Sequence, residues 1–590
     1  MTSVGRTHRN VRMPPSYLSP IWLAALSLVA PSTQAADGGA GAPGRGALVT
    51  ISIVGTNDLH GHIEALPRMG GYIANLRRAR ARDGGGVVLL DAGDMFQGTL
   101  ESNINEGAAV VRAYNVLKYD AAAIGNHEFD FGPVGPATAP GGSGDDPRGA
   151  LKARAAEARF PFLAGNLIDA ATGAAPAWPN FGATRLLHVA GVKVGVIGIA
   201  NPWTASMTLP ANFAGLRALP DAPAVVAAAR TLRREGAAAV IVVAHVGGSC
   251  ARFTAPDDLA SCASDSDIFQ LARALPAGTV DAIVAGHTHA GVAHRVAGIP
   301  IIETYDKGYG FGRIDLLVDL FRDRARSKAL PAVVDARIFP PQAVPKPGLP
   351  FGGSYEGAPL APDAAVAAAI APALAAARAR REAPLGVTVA RPIAPSYDAE
   401  SALGNLFTDL MRAARPKADV ALTTGGSIRA QLPAGALTYG QFYEALPFDD
   451  RFVTMAITGA DLAALVARNL GRAGGIVSLS GLRAAAACAA GAVEVTLTRP
   501  DGKPVGAGER LTLVTSEFLA TGGGGFFPDE LRRRAGATTD DGPPIRDAMA
   551  DVLRARKTPI DPANPLLHDA AHPRLAYPGR RPVRCTASSR

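Results

Sequence analysis

The sequence is poor in cysteine, and the spacing of its cysteines does not predict a structural zinc site. Only four occur in 590 residues, at positions 250, 262, 488 and 585. In an exported chain such cysteines are candidates for disulfides. Cys250 and Cys262 enclose a polar loop directly after His245, and Cys488 and Cys585 remain as a second pair by elimination. Whether the second pair can meet is left open by the sequence.

No apolar run beyond the N-terminal region is long enough to predict a transmembrane helix. The N-terminal region has Arg6, Arg9 and Arg12, then an apolar stretch over residues 21–30, then small residues up to Ala35. This order is typical of a signal peptide. We therefore expect a signal peptide over residues 1–35, export to a periplasm or the outside, and no stable membrane insertion after cleavage. An uncleaved single-pass anchor is the alternative.

The chain also lacks the dense basic patches of a nucleic-acid surface. Its 59 Lys and Arg exceed its 51 Asp and Glu by 8, and the arginines are scattered through alanine-rich helical stretches. Such arginines indicate solvated helix faces. We expect a small-molecule partner, no nucleic acid and a monomeric protein.

The organisation of the chain predicts two domains and a linker. Residues 48–338 alternate strand-like apolar runs with helical stretches, which is typical of an α/β domain. Residues 339–383 begin with a Pro- and Gly-rich connector and continue as an alanine-rich helix that Asp363 would cap. A second domain is expected over residues 384–556, followed by an irregular, peripheral tail over residues 557–590.

Potential metal ligands follow five of the apolar runs in the first domain. Buried parallel strands have this pattern, and α/β sheets place their chemistry beyond the carboxyl ends of such strands. Seven carboxylate, amide and imidazole side chains could therefore meet in one crevice, and these are Asp58, His60, Asp94, Asn126, His245, His287 and His289. That is too many donors for one ion and suits two. Each motif alone is weak evidence, but their joint order favours a dinuclear site.

The ligand types predict the chemistry. Carboxylate, imidazole and amide donors suit Mn, Zn, Co, Mg or Fe. Two such ions about 3.5–4 Å apart activate water and neutralise phosphate oxygens in an in-line displacement at phosphorus. Asp94 is the natural bridge, because its motif supplies one carboxylate and no histidine. His127 adjoins Asn126 and could face the substrate as an acid, with Asp130 orienting its ring.

These motifs resemble the secreted 5′-nucleotidase family of calcineurin-like metallophosphoesterases. The match rests on residues 56–62 (TNDLHGH), 93–99 (GDMFQGT), 125–130 (GNHEFD) and 286–289 (GHTH). The resemblance implies a four-layer αββα metallophosphoesterase domain, a bridging helix and a C-terminal α+β domain that binds the nucleoside and rotates onto the metal site. It implies one ion held by Asp58, His60, Asp94 and His289, and another held by Asp94, Asn126, His245 and His287. It also implies that His127 and Asp130 form the catalytic pair.

The second domain departs from the family pattern on the substrate side. Arg429 keeps a guanidinium suited to phosphate, and Phe448 and Phe518 match the two phenylalanines that sandwich the base in relatives. The departures are Ala402, Thr424, Thr521 and Gly524, the last where relatives carry an acid that binds ribose.

The leading hypothesis is therefore an exported two-metal phosphohydrolase that removes phosphate from nucleotides. One alternative is the same chemistry on a nucleotide-sugar, a cyclic nucleotide or a non-nucleotide phosphoester. The alternative of another class is a binding protein that has kept the fold and lost turnover.

Overall fold

Two large β-sheets make up the first half of the protein. The computed structural model describes residues 48–321 and 331–585, so the signal peptide predicted at residues 1–35 lies outside the described residues. The first sheet has seven strands in the spatial order Ala332–Ala343, Gly310–Asp319, Leu48–Thr56, Gly86–Asp91, Ala121–Ala123, Phe162–Leu163 and Phe181–Gly182. The second has six in the order Gly291–Val296, Ile299–Thr304, Ala282–Ala285, Ala239–Ala244, Val192–Ile199 and Thr184–Val189.

Successive side chains along these strands point alternately into the core between the two sheets and into a core between a sheet and its helices. Val88 and Leu90 pack in the core shared by the two sheets, whereas Leu89 between them faces the helices. One outer layer contains the helices Leu66–Arg82, Ala108–Leu117 and Gly149–Glu157, and the other contains Asp221–Arg234 and Asp267–Ala274. Because the central strands, such as Ala239–Ala244 and Ala282–Ala285, are buried on both faces, their sequences are continuously apolar. The predicted four-layer αββα arrangement is confirmed.

The connector between the halves differs in one respect from its prediction. The strand Ala332–Ala343 runs through the boundary proposed at residue 339 and includes Pro340 and Pro341. It is an edge strand, where the missing N–H of proline is tolerated. The helix Ala364–Arg381 then begins as its composition predicts, because the Asp363 carboxylate accepts the backbone N–H groups of residues 365 and 366.

The second half is α+β. Its five-stranded sheet has the order Val477–Ser480, Val420–Thr424, Arg510–Ser516, Phe452–Thr458 and Thr538–Thr539. A three-stranded sheet contains Ala492–Thr498, Arg483–Ala489 and Leu575–Ala576, and Pro384–Val389 pairs with Gly435–Thr438. The helices are Ala402–Ala414, Tyr439–Ala445, Gly459–Leu470, Glu517–Ala520, Asp529–Arg534 and Ile545–Ala555.

Shorter elements complete the described part of the chain. The short helices of the first half are Ile63–Ala65, Leu100–Asn103, His127–Phe129, Thr204–Met207 and Pro210–Phe213, and those of the second half are Gly425–Ser427 and Gly523–Gly525. Two further strand pairs are Leu167–Asp169 with Leu216–Ala218 and Ser354–Tyr355 with Ala358–Pro359.

The C-terminal tail is packed rather than peripheral. Leu575 pairs with Ala484 and is buried, and Val583 is buried in the same core as the five-stranded sheet. The disulfide Cys488–Cys585 joins the tail to the three-stranded sheet, and Cys250 is bonded to Cys262. Both predicted disulfides are thus present. Within residues 48–321 and 331–585, no helix is long and apolar enough to cross a membrane.

Candidate metal centre

The turns that follow five strands bring the seven predicted ligands to one edge of the two sheets. Asp58 and His60 follow Leu48–Thr56, Asp94 follows Gly86–Asp91, and Asn126 follows Ala121–Ala123. His245 follows Ala239–Ala244, and His287 and His289 follow Ala282–Ala285. Five of the seven have left-handed backbones, with φ of 50° at Asp58, 47° at His60, 57° at Asp94, 83° at His287 and 55° at His289. Such conformations are costly for residues with a Cβ and concentrate at functional sites.

The ligand atoms form two groups of three. In the first, His60 Nε2 lies 2.9 Å from His289 Nε2, and Asp58 Oδ1 lies 3.3 Å from the same His289 atom. In the second, His245 Nε2 lies 3.0 Å from Asp94 Oδ2 and 3.1 Å from His287 Nδ1. The ligand atoms within each group all lie within 4.8 Å of one another.

Two further contacts connect these groups and extend the second one. Asp94 Oδ2 lies 3.9 Å from His60 Nε2, so this one oxygen is close to both groups. The amide oxygen of Asn126 lies 3.2 Å from His245 Nε2 and therefore belongs with the second group.

The arrangement of these donor atoms suits bound cations better than it suits hydrogen bonds between the side chains themselves. Asp58 Oδ1 is fully buried and accepts no hydrogen bond. The Nδ1 atoms of His60 and His245 lie 2.9 Å and 2.8 Å from the backbone carbonyls of Gln97 and Ala92. Those carbonyls can only accept, so each Nδ1 carries a proton and each Nε2 is directed into the site. A bound metal would take up these Nε2 atoms as ligands, after the loss of any proton they carry, and would satisfy the carboxylate oxygen that accepts no hydrogen bond.

The electrostatics of the cluster also favour positive charge. Burial alone would lower the pKa of His245, but the Asp94 carboxylate raises it to about 10. Likewise Asp58 outweighs burial and raises the pKa of His289 to about 9. His287 behaves in the opposite way, because burial and the charge of His245 lower its pKa to about 3. The cluster therefore holds protons tightly at two positions where a cation would replace them.

His127 lies beside the two groups but belongs to neither. Its Nδ1 is 2.5 Å from Asp130 Oδ2, and its Nε2 is 4.0 Å from Asp94 Oδ2. Its ring centroid lies 5.8 Å from that of Phe448, so it stands between the ligand groups and the second half of the chain. The predicted pairing of His127 with Asp130 is thus present in the structure, and Asp130 fixes the ring so that Nε2 is directed away from it.

Two buried carboxyl groups that the sequence analysis missed hold the ligand turns. Glu128 accepts the backbone N–H groups of Asp94, Met95 and Gly125 at 2.9, 2.7 and 2.7 Å. Glu303 accepts that of Gly248 at 2.8 Å and also contacts Thr288, between His287 and His289. A signal for Glu303 was available, because residues 299–304 read IPIIET and a carboxylate in a buried strand requires partners.

The second half of the chain closes a cavity over this cluster. The cavity has a volume of about 780 Å³, within the range of small-molecule sites. Arg429 reaches the ligands, with Nη2 3.5 Å from His60 Nε2. Gln97 and Asn103 of the first half donate to the Pro447 carbonyl at 2.7 and 3.1 Å, next to Phe448.

Both predicted aromatic residues lie on the cavity, but only some of the departures from the family pattern do. Phe448 and Phe518 line it, as do Thr424 and Gly524. Ala402 and Thr521 are not lining residues. Ala402 begins the helix Ala402–Ala414, and the Thr521 hydroxyl donates to the Glu517 carbonyl at 2.8 Å. Two of the four departures, Thr424 and Gly524, therefore lie on the cavity wall.

Comparisons with known proteins agree with this arrangement. Residues 51–291 match the calcineurin-like phosphoesterase family, and residues 381–529 match the 5′-nucleotidase C-terminal domain family. Protein UshA of Yersinia enterocolitica is 26% identical over 511 residues, covering 81% of this chain and 86% of that protein. Endonuclease YhcR of Bacillus subtilis is 26% identical over 533 residues, covering 87% of this chain but 40% of that protein. The crystal structure of a 5′-nucleotidase precursor from Thermus thermophilus superposes with a TM-score of 0.67 at 23% identity, covering 86% and 96% of the two chains.

Proposed function

We propose that this chain, a phosphoester hydrolase with a calcineurin-like phosphoesterase domain and a 5′-nucleotidase C-terminal domain, removes phosphate from nucleotides. The observation that carries the proposal is the shared cavity, which has two three-ligand groups at one end and Phe448 and Phe518 elsewhere on its wall. Flat aromatic faces suit nucleobases of any kind, because every base can stack.

We assign the ligands to two divalent ions. One is held by Asp58, His60, Asp94 and His289, and the other by Asp94, Asn126, His245 and His287. The position of Asp94 Oδ2, 3.0 Å from His245 and 3.9 Å from His60, supports its role as the shared ligand. Bound there, Mn, Zn, Co, Mg or Fe would supply Lewis acidity toward a phosphate ester and toward water.

The remaining residues position the ester and move a proton. Arg429 places a guanidinium 3.5 Å from His60 Nε2, where it would hold phosphate oxygens by charge-assisted hydrogen bonds. His127 would give a proton to the leaving oxygen from Nε2, since Asp130 occupies its other nitrogen at 2.5 Å. Proton donation from a positioned side chain is worth roughly 10²–10⁴ in rate.

The domain limits and the place of action are part of the proposal. We take residues 48–343 as the metallophosphoesterase domain, with residues 344–383 as the linker and 384–585 as the nucleoside-binding domain with its packed tail. The Arg-rich, apolar and small-residue order of residues 1–35 and the two disulfides support export. The complete ligand set weighs against the non-catalytic alternative.

Hydrolysis by residues 36–590, followed by chromatography of the products and by phosphate release, tests the function. The panel is AMP, UMP, ATP, a UDP-sugar, a 2′,3′-cyclic nucleotide and an aryl phosphate, each with added Mn or Zn, with Asp94→Asn as the control. We expect metal-dependent turnover that is strongest on a nucleotide and abolished by Asp94→Asn. Turnover of the aryl phosphate alone would keep the hydrolase and reject the nucleotide. Equal activity in the control would reject the assigned site.

A further inference from the structure

Arg472 lies on the cavity wall at a position that the functions assigned above do not use. It follows the helix Gly459–Leu470 and begins a short loop, residues 472–475, whose members all line the cavity. The loop packs tightly on the glycine turn before Arg429, since a Cβ on Gly475 would lie 2.5 Å from the Gly426 nitrogen. Arg472 Nη1 donates to the Gly525 carbonyl at 2.8 Å. Its guanidinium is thus fixed beside the segment that carries Phe518 and Gly524.

The charge of Arg472 is not neutralised by the protein. No carboxylate in the described part of the chain lies within 4.0 Å of its guanidinium, whereas Arg546 pairs with Asp449 and Arg381 with Glu101. Its Nε is buried without a hydrogen-bond partner. Burial, together with the nearby positive charges of Arg468 and Arg581, lowers the pKa of Arg472. A half-buried cation among like charges is costly, and a bound anion would relieve that cost.

The acidic groups of the cavity are engaged elsewhere. Asp130 pairs with His127, and Asp306 lies 3.5 Å from His289 and 3.6 Å from Lys307. Burial, together with the charges of Glu517 and Asp130, raises the pKa of Asp450 to about 7, so it is an incomplete negative charge at neutral pH.

The cavity therefore has two separate arginine positions. Arg429 contacts the metal-ligand cluster through His60, and Arg472 contacts Gly525 in the loop that ends the segment containing Phe518. A Cβ on Gly524 would meet no atom within 4 Å, so there is open space for a ligand group beside this loop. Since Arg429 and Arg472 line the same cavity, a substrate bound there can carry one phosphate at the metal-ligand groups and present a second anionic group to Arg472.

We propose that Arg472 binds a second anionic group, most favourably a phosphate, on the part of the substrate that remains after hydrolysis. This inference rests on the proposed function and narrows its substrate class to phosphoesters whose leaving group is itself charged, such as a nucleoside 3′,5′-bisphosphate. A guanidinium suits this role because its planar donors match phosphate oxygens in pairs.

The test compares AMP with adenosine 3′,5′-bisphosphate. We expect the wild-type kcat/KM to favour the bisphosphate, and we expect Arg472→Gln to reduce the bisphosphate-to-AMP ratio at least tenfold. Arg472→Lys should restore part of the ratio, because it keeps the charge. Arg468→Gln is the matched control: it removes an equal charge from the same cluster, but Arg468 is exposed and does not line the cavity, so the ratio should not change.

Binding to EDTA-treated protein separates this inference from turnover. Calorimetry should show tighter binding of the bisphosphate than of AMP, and Arg472→Gln should remove the difference. A bisphosphate-to-AMP ratio in Arg472→Gln equal to that of the wild type, or a binding preference for the bisphosphate that persists in Arg472→Gln, would overturn the inference. Absence of turnover on every phosphoester would refute the proposed function, while the binding measurement would still decide the role of Arg472.

Discussion

Replacing Glu303 should reveal how the His287–His289 turn is held. Glu303 lies on the buried strand Ile299–Thr304 and contacts the Thr288 hydroxyl at 2.5 Å. That hydroxyl also lies 2.7 Å from the Gly248 carbonyl, which can only accept. Since a hydroxyl has one hydrogen, the Glu303 contact needs a proton from the carboxyl itself. Burial raises the pKa of Glu303 well above its ordinary value, which agrees with a neutral carboxyl.

A neutral carboxyl and a glutamine side chain offer nearly the same hydrogen bonds, so Glu303→Gln should bind metal almost as the wild type does. Glu303→Leu instead leaves the Gly248 N–H without an acceptor, at a cost of about 1–3 kcal/mol, and removes one of the two contacts of the Thr288 hydroxyl. Because partners of ligand-bearing segments set ligand position, we expect a loss of metal affinity of about 10–100-fold in Glu303→Leu.

Competition with a chromogenic chelator would measure the metal affinity of both Glu303 variants, with thermal denaturation as the check on folding. Wild-type affinity in Glu303→Leu would refute the reasoning. An equal loss in both variants would show that the carboxyl is ionised and not neutral.

Three other predictions follow from the site. His127→Gln should lower kcat by about 10²–10⁴ with little change in metal content. Asp130→Asn should lower kcat less, because Asp130 acts through the imidazole ring of His127. Steady-state kinetics and metal analysis check both variants. At pH 7 His245 and His289, whose pKa values are about 10 and 9, are protonated, and these protons must leave when metal binds. The metal affinity should therefore rise with pH. Calorimetry in buffers of different ionisation enthalpy should show about two protons released per chain. Binding without proton release would contradict this. Arg429→Ala should weaken inhibition by inorganic phosphate about tenfold or more, because it removes a charge-assisted contact, and an unchanged inhibition constant would count against its assignment.

The proximity of the candidate ligands was largely predictable, because each of them lies at the end of a strand. Each ligand comes directly after an apolar run, and parallel strands deliver their ends to one edge, so order along the chain predicts proximity in space. The turns also require left-handed backbones at residues such as Asp58 and His287, which sequence patterns do not reveal. The connector was less predictable, because Pro340 and Pro341 favour a break and only the edge position of their strand makes them acceptable.

The partners of the supporting residues were not predictable from local patterns, even where a buried acid such as Glu303 could be recognised. Glu303 reaches Gly248 from 55 positions away, and Gln97 reaches Pro447 across 350. Contacts of this kind depend on how the two sheets and the two halves pack, and no short motif encodes them. The same is true of Arg472, which sequence alone presents as one arginine after a helix. Its significance comes from the absence of a carboxylate partner among the described residues around it.

If the seven assigned ligands hold two ions on which hydrolysis depends, the amount of bound metal and the activity must rise together. Residues 36–590 would be stripped with EDTA and titrated with Mn or Zn while bound metal and AMP hydrolysis are measured together. We predict that activity rises to a plateau at about two equivalents per chain, and that Asp94→Asn loses both tight binding and activity. Full activity in the stripped protein, or a plateau reached by Asp94→Asn at the same two equivalents, would contradict the account.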